Sequence, residues 1–199
     1  MKSASIIWPA ALLLALVSVA AAGAQNVNRS RSQSGVIAPR AAVQLAEDDE
    51  ERRLLPVGKV APDFSLPQVG GGELSLANTL KTSKWVLVSF WSAKSEPSKT
   101  ALKTLQKLFD DYGDKGLDIL AVNPAETAPA VQKFLSDNQY SFKAAIDGNE
   151  TNHAITGAYH AYNRYPTTYL LDSGGKILWR ATGFDEAELK GALTKAGLK

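Results

Sequence analysis

The chain has no cysteine among its 199 residues. That absence removes disulfides, thiolate metal sites, lipid attachment through sulfur and every reaction that needs a thiolate nucleophile. It does not indicate a compartment, because reducing and oxidising surroundings both tolerate a cysteine-free chain. Histidine is almost as scarce: His153 and His160 are the only two. They could share a helix face, but no third ligand accompanies them, so no metal site is expected. A serine hydrolase built on Ser95 and either histidine would also need an orienting acid and an oxyanion hole, and no motif announces them. Basic residues are only slightly in excess, with 22 Lys and Arg against 20 Asp and Glu. A formal net charge of +2 gives no global pull toward nucleic acid, and there is no polybasic arm. No internal repeat is present, and no cofactor is expected.

What is present begins with a leader. A single charge at Lys2 precedes an apolar run from Ile6 to about Ala22, which ends in the small-x-small pattern Ala22-Gly23-Ala24. The pattern predicts a signal peptide over residues 1–24, cleaved after Ala24, and hence a periplasmic or extracellular protein. An uncleaved membrane anchor is the other reading of the same run. Pro9 and the alanine-rich end favour the signal peptide, and contact with a membrane follows only if the leader stays attached. Residues 25–55 are rich in Ser, Asn, Arg and Gln, then carry Glu47-Asp48-Asp49-Glu50-Glu51 and Arg52-Arg53. No apolar period survives there, so the segment reads as a flexible polar linker whose acid run is solvated or meets a basic partner.

From residue 56 to 199 the texture changes to short apolar runs alternating with amphipathic stretches, the pattern of one α/β domain. Trp85 to Trp91 is almost wholly apolar and rich in β-formers, as a strand covered on both faces should be. From Glu96 to about Tyr112, Leu102, Leu105, Leu108, Phe109 and Tyr112 recur at helical spacing, and Gly113 and Gly116 end the helix. Strands are predicted at Leu117 to Val122, Phe142 to Ile146, Thr167 to Leu171 and Lys176 to Arg180, the last two joined by a turn at Ser173-Gly174-Gly175. Helices are predicted from about Ala128 to Asn138, Asn152 to Tyr159 and Glu186 to Ala196.

Several local sequences carry a resemblance. They are Val57-Gly58-Lys59-Val60-Ala61-Pro62-Asp63-Phe64, Val88-Ser89-Phe90-Trp91, Leu120-Ala121-Val122-Asn123, and Tyr165-Pro166-Thr167-Thr168-Tyr169-Leu170-Leu171-Asp172. Together, from about Val57 to Leu198, they resemble the TlpA/ResA branch of thioredoxin-like thiol-disulfide oxidoreductases. The resemblance implies a thioredoxin-like fold, with a central mixed β-sheet flanked by helices and an N-terminal strand extension. It also implies a Trp-Cys-x-x-Cys segment at the start of the first long helix. Here that segment is Lys94-Ser95-Glu96-Pro97-Ser98, with serine at both thiol positions. Ala101 stands where ResA-type members carry a glutamate. Peroxiredoxins share much of the Ala61-Pro62-Asp63-Phe64 opening, but their peroxidatic cysteine has no counterpart between Ser89 and Ser95.

Serine matches cysteine in shape and not in chemistry. Its hydroxyl does not ionise near neutral pH and cannot join a disulfide. Ser95 is suited to cap the helix, and Pro97 is tolerated in the first turn because those N–H groups have no intrahelical acceptor. Alternatively, Ser95 and the helix N-terminus hold an anion. Pro166 aligns with the cis-proline of the family, which lets the preceding residue pair with extended peptides. The candidate binding residues are therefore Ser95, Glu96, Pro97, Ser98, Tyr165 and Pro166, with a polypeptide as the expected partner. Lys99, Lys103 and Lys107 step along one helix face and are either solvated or meet an acidic partner. The leading expectation is a binding or scaffold protein without thiol chemistry. The alternatives are the family's oxidoreductase role by a cysteine-free route, another reaction at the same place, and a purely structural domain.

Overall fold

The computed structural model describes residues 53–148 and 153–198. The expected leader and most of the expected linker lie outside the described residues, as does Asn152 at the start of a predicted helix. Among the described residues no helix is long and apolar enough to cross a membrane.

The sheet grows from β3 (Trp85–Phe90), whose residues are buried from Val86 to Phe90. It pairs in parallel with β4 (Leu117–Asn123) and antiparallel with β6 (Thr167–Asp172). Beyond them lie β5 (Lys143–Ile146), parallel to β4, and β7 (Ile177–Thr182), antiparallel to β6. The order β5-β4-β3-β6-β7 is a mixed five-stranded sheet.

Strand alternation divides the core in two. Val86, Val88 and Phe90 join Leu120, Val122, Tyr169 and Leu171 on one face. Leu87 and Trp91 join Ile119, Ala121 and Leu170 on the other, under Leu102, Leu105 and Leu108 of α2 (Glu96–Tyr112). The same layer holds Val131 and Leu135 of α3 (Ala128–Asp137) and Leu189 and Leu193 of α5 (Glu186–Lys195). The opposite face is closed by Tyr159, just after α4 (Ala154–Ala158), by Leu76 of α1 (Leu76–Leu80), and by the N-terminal segment. At 0% exposure on β3, either face excludes a polar substitution that brings no partner.

The N-terminal strand extension is a hairpin of β1 (Ser65–Pro67) and β2 (Glu73–Ser75). A bridge from Gln68 to Ala145 ties it to β5, and a bridge from Val60 to Lys176 ties the preceding segment to the entry of β7. The segment therefore covers part of both sheet edges, which would otherwise offer unpaired N–H and C=O groups.

Two expectations need correction, on Leu54 and Leu55 and on the histidines. Leu54 and Leu55, the last residues of the expected linker, are 3% and 5% exposed and belong to the core. Arg180 Nη1 donates to both of their carbonyls, at 2.5 and 2.7 Å, so the ordered domain begins ahead of Pro56. Gly113 and Gly116 end α2 as expected, with Gly113 as its C-cap. The Gly113 φ is −56°, a short 3-10 turn follows, and Gly116 at φ 101° makes the reversal. Finally, His153 precedes α4 while His160 lies beyond it at φ 55°, so the two share no helix face.

Candidate functional site

The C-terminal end of β3 delivers the chain into Ser92–Ser95, and α2 begins at once. Ser95 has the extended backbone of an N-cap, with φ −94° and ψ 113°. Its Oγ accepts from the Ser98 N–H at 3.3 Å, giving one first-turn donor a partner. Its own hydroxyl proton goes elsewhere: Ser95 Oγ donates to the Tyr165 carbonyl at 2.8 Å. One side chain therefore caps α2 and ties it to the loop that leads into β6.

That loop carries Tyr165 and Pro166, joined by a cis peptide bond. The Pro166 carbonyl accepts from the Gly183 N–H at 2.8 Å, which fixes it against the end of β7. The Tyr165 phenol is pushed above its ordinary range, first by burial and then by the Asp147 and Glu126 carboxylates, while a bond from the Asn163 backbone acts the other way. It stays neutral around pH 7 and presents a ring with a hydroxyl, not a charge.

Ser98 is fully buried, and its Oγ accepts from the Ser92 N–H at 3.4 Å. Ser92 opens a second set of contacts. Its hydroxyl donates to Glu126 Oε1 at 2.7 Å and accepts from the Lys94 N–H at 3.1 Å. The other Glu126 oxygen accepts from Asn123 Nδ2 at 2.6 Å, while Asn123 Oδ1 takes the N–H groups of Ala125 and Glu126. Neither Ser92 nor Glu126 stands out in the sequence. The only signal is Asn123-Pro124 at a strand end, a pair that starts turns. Trp91, in front of Ser92, is fully buried, and its Nε1 has no partner among the described residues.

Of the six sequence-predicted residues, the fold brings Ser95, Ser98, Tyr165 and Pro166 to one place. Glu96 and Pro97 are exposed on the first turn of α2, and Glu96 pairs with Lys99 at 2.6 Å. Lys103 and Lys107 are exposed further along the helix. His153 and His160 direct Nδ1 to the carbonyls of Asp147 and Arg53, while the Ser95 hydroxyl bonds to Tyr165 and Ser98. Ser95 thus has a carbonyl acceptor and an amide donor but no base, and it is not set up as a nucleophile. Among the described residues no three histidine, aspartate or glutamate side chains gather as metal ligands.

Known proteins resemble this chain in sequence and fold. The model of the AhpC/TSA family matches residues 57–180. The thiol-disulfide oxidoreductase ResA of Bacillus cereus is 30% identical over 146 residues, covering 73% of this chain and 81% of the relative. ResA of Geobacillus thermodenitrificans is 32% identical over 133 residues, covering 67% and 73%. Among solved structures, a thiol-disulfide oxidoreductase from Bacteroides fragilis superposes with a TM-score of 0.60 at 26% identity, covering 69% of this chain and 98% of that one. On that family match and those relatives, this cysteine-free chain belongs to the AhpC/TSA family, in its ResA-like, thioredoxin-fold form.

Proposed function

We propose that the protein is exported by its leader and holds extended polypeptide in the groove between the start of α2 and Tyr165–Pro166, without exchanging disulfides. The carrying observation is the 2.8 Å contact between Ser95 and the Tyr165 backbone, which joins helix start and loop into one site. Export rests on Lys2, the apolar run and the small-residue site before Gln25. The relatives are named for an activity that requires thiols, and this chain has none. An enzymatic use of the same place is weaker, because the Ser95 hydroxyl is engaged at both its donor and its acceptor side.

The test uses the full chain and a fluorescent, carboxymethylated, unfolded polypeptide, with binding read by anisotropy. The parent should bind saturably. Tyr165→Arg should weaken binding by about tenfold, or 1.4 kcal/mol, with the circular dichroism spectrum unchanged. Insulin reduction by dithiothreitol should run no faster with the protein than without it. Equal binding by parent and variant, or turnover of insulin, overturns the reading.

A further inference from the structure

The turn between β3 and α2 hangs on Ser92. Just before it, the Trp91 N–H donates to the Val122 carbonyl at 3.0 Å and closes the link from β3 to β4. The Ser92 carbonyl then accepts from the Ser95 N–H at 3.1 Å, and the Ser92 N–H donates to Ser98 Oγ at 3.4 Å. The Ser92 Oγ accepts from the Lys94 N–H at 3.1 Å. Contacts to Lys94, Ser95 and Ser98 thus converge on one residue, which is 4% exposed.

Ser92 is itself held from another loop. Its hydroxyl donates to Glu126 Oε1 at 2.7 Å, across 34 positions of sequence. The opposite oxygen of Glu126 accepts from Asn123 Nδ2 at 2.6 Å. Asn123 is fully buried at the end of β4, where its carbonyl accepts from the Asp147 N–H at 3.1 Å and its Oδ1 takes the Ala125 and Glu126 N–H groups. The carboxylate is therefore braced against the core on one side and grips Ser92 with the other. Hydrogen bonds to a carboxylate are shorter and roughly twice as strong as neutral ones. Removing this acceptor would leave the Ser92 hydroxyl buried without it.

We propose that Glu126 is the positioning residue of the polypeptide groove: through Ser92 it sets where Ser95 stands, and so where the start of α2 meets the Tyr165 backbone. The assignment rests on the function proposed above and adds a residue that acts on the groove through another. The contacts run without a break from Asn123 to Glu126, to Ser92, to Ser95 and on to the Tyr165 carbonyl at 2.8 Å. The Glu126 charge also reaches the Tyr165 phenol, which it helps to hold above its ordinary range, after burial and Asp147. Three loops at one end of the sheet are thereby locked together by two side chains, Ser95 and Glu126.

The test uses the full chain with two readouts, amide hydrogen exchange and the anisotropy of the fluorescent, carboxymethylated polypeptide. In Glu126→Ala, exchange at Lys94, Ser95 and Ser98 should quicken by about tenfold while Leu87 and Leu120 in the sheet keep their rates. Affinity for the polypeptide should fall by about tenfold with the circular dichroism spectrum unchanged. Ser92→Ala should lose about as much, and the Ser92→Ala, Glu126→Ala pair no more than either alone, because the two residues act as one unit. Glu126→Gln keeps the shape and one acceptor oxygen, and its amide can donate to Ser92 Oγ, so affinity should recover to within about threefold of the parent. Unchanged exchange at Ser95, unchanged affinity, no recovery in Glu126→Gln, or a double variant weakened by about a hundredfold overturns the assignment. A parent that binds no polypeptide overturns the proposed function with it, whereas variants that bind as well as a binding parent remove the positioning role alone.

Discussion

Ser95 Oγ donates to the Tyr165 carbonyl at 2.8 Å while accepting from the Ser98 N–H at 3.3 Å. Ser95→Ala removes both bonds and should destabilise the domain by about 1–2 kcal/mol. Ser98→Ala loses only a 3.4 Å bond from Ser92 and should cost less than about 1 kcal/mol. Urea unfolding with an unchanged m value reads both. If Ser98→Ala proves the more damaging, Ser95 is not the tie between helix and loop.

The two serines stand at the spacing of a redox pair, the first of them at the start of α2. A thiol at that position has its thiolate stabilised by first-turn N–H groups and the helix dipole. Ser95→Cys, Ser98→Cys protein should therefore form an intramolecular disulfide with oxidised glutathione and reduce insulin above the blank, with the single variants silent. Free thiol counts and the turbidity assay decide it. A double variant that stays fully reduced would mean that the serine site has lost the required geometry.

The long elements were legible because their patterns are strong. The run from Trp85 admits only a strand buried on both faces, and Leu102, Leu105 and Leu108 trace one stripe of α2. The N-terminal hairpin was legible only through the family resemblance. Its strands have three residues each and depend on pairings such as Leu66 with Leu74, for which three residues offer no period. Leu54 and Leu55 read as linker because their neighbours are polar; the Tyr169 hydroxyl, which accepts from the Leu55 N–H, lies 114 positions away. The bond from Ser92 to Glu126 is hidden by the same kind of separation. Only the family resemblance pairs Ser95 with Tyr165, since no spacing rule links the start of α2 to the loop before β6.

Trp91 offers a test of an unpaired donor. Its indole is fully buried against Phe134, with ring centroids 5.3 Å apart, and its Nε1 lacks a partner among the described residues. Trp91→Phe removes that donor and keeps an aromatic ring, so the lost packing is offset and the net change should stay within about 1.5 kcal/mol. Trp91→Ala should cost about 3–5 kcal/mol through the cavity it leaves. Thermal midpoints of the two variants should therefore be well separated. A phenylalanine variant as damaged as the alanine variant would show that the indole N–H is satisfied in the folded protein.

Buried tyrosines set the alkaline limit of the fold. Tyr159 is fully buried and donates to the Pro62 carbonyl at 2.6 Å, while Tyr169 donates to the Tyr159 carbonyl at 2.6 Å. Burial raises both phenols above their ordinary value, most strongly Tyr159, where Asp63 adds to the effect. A raised folded pKa gives a contribution that is complete below the unfolded value of about 10 and is lost as pH rises above it. Urea midpoints should thus be insensitive to these groups up to about pH 9 and fall beyond about pH 10. Tyr159→Phe should cost about 1 kcal/mol at neutral pH, through the unpaired Pro62 carbonyl, and flatten the alkaline fall. If the fall is as steep in Tyr159→Phe as in the parent, Tyr159 does not set the alkaline limit of the fold.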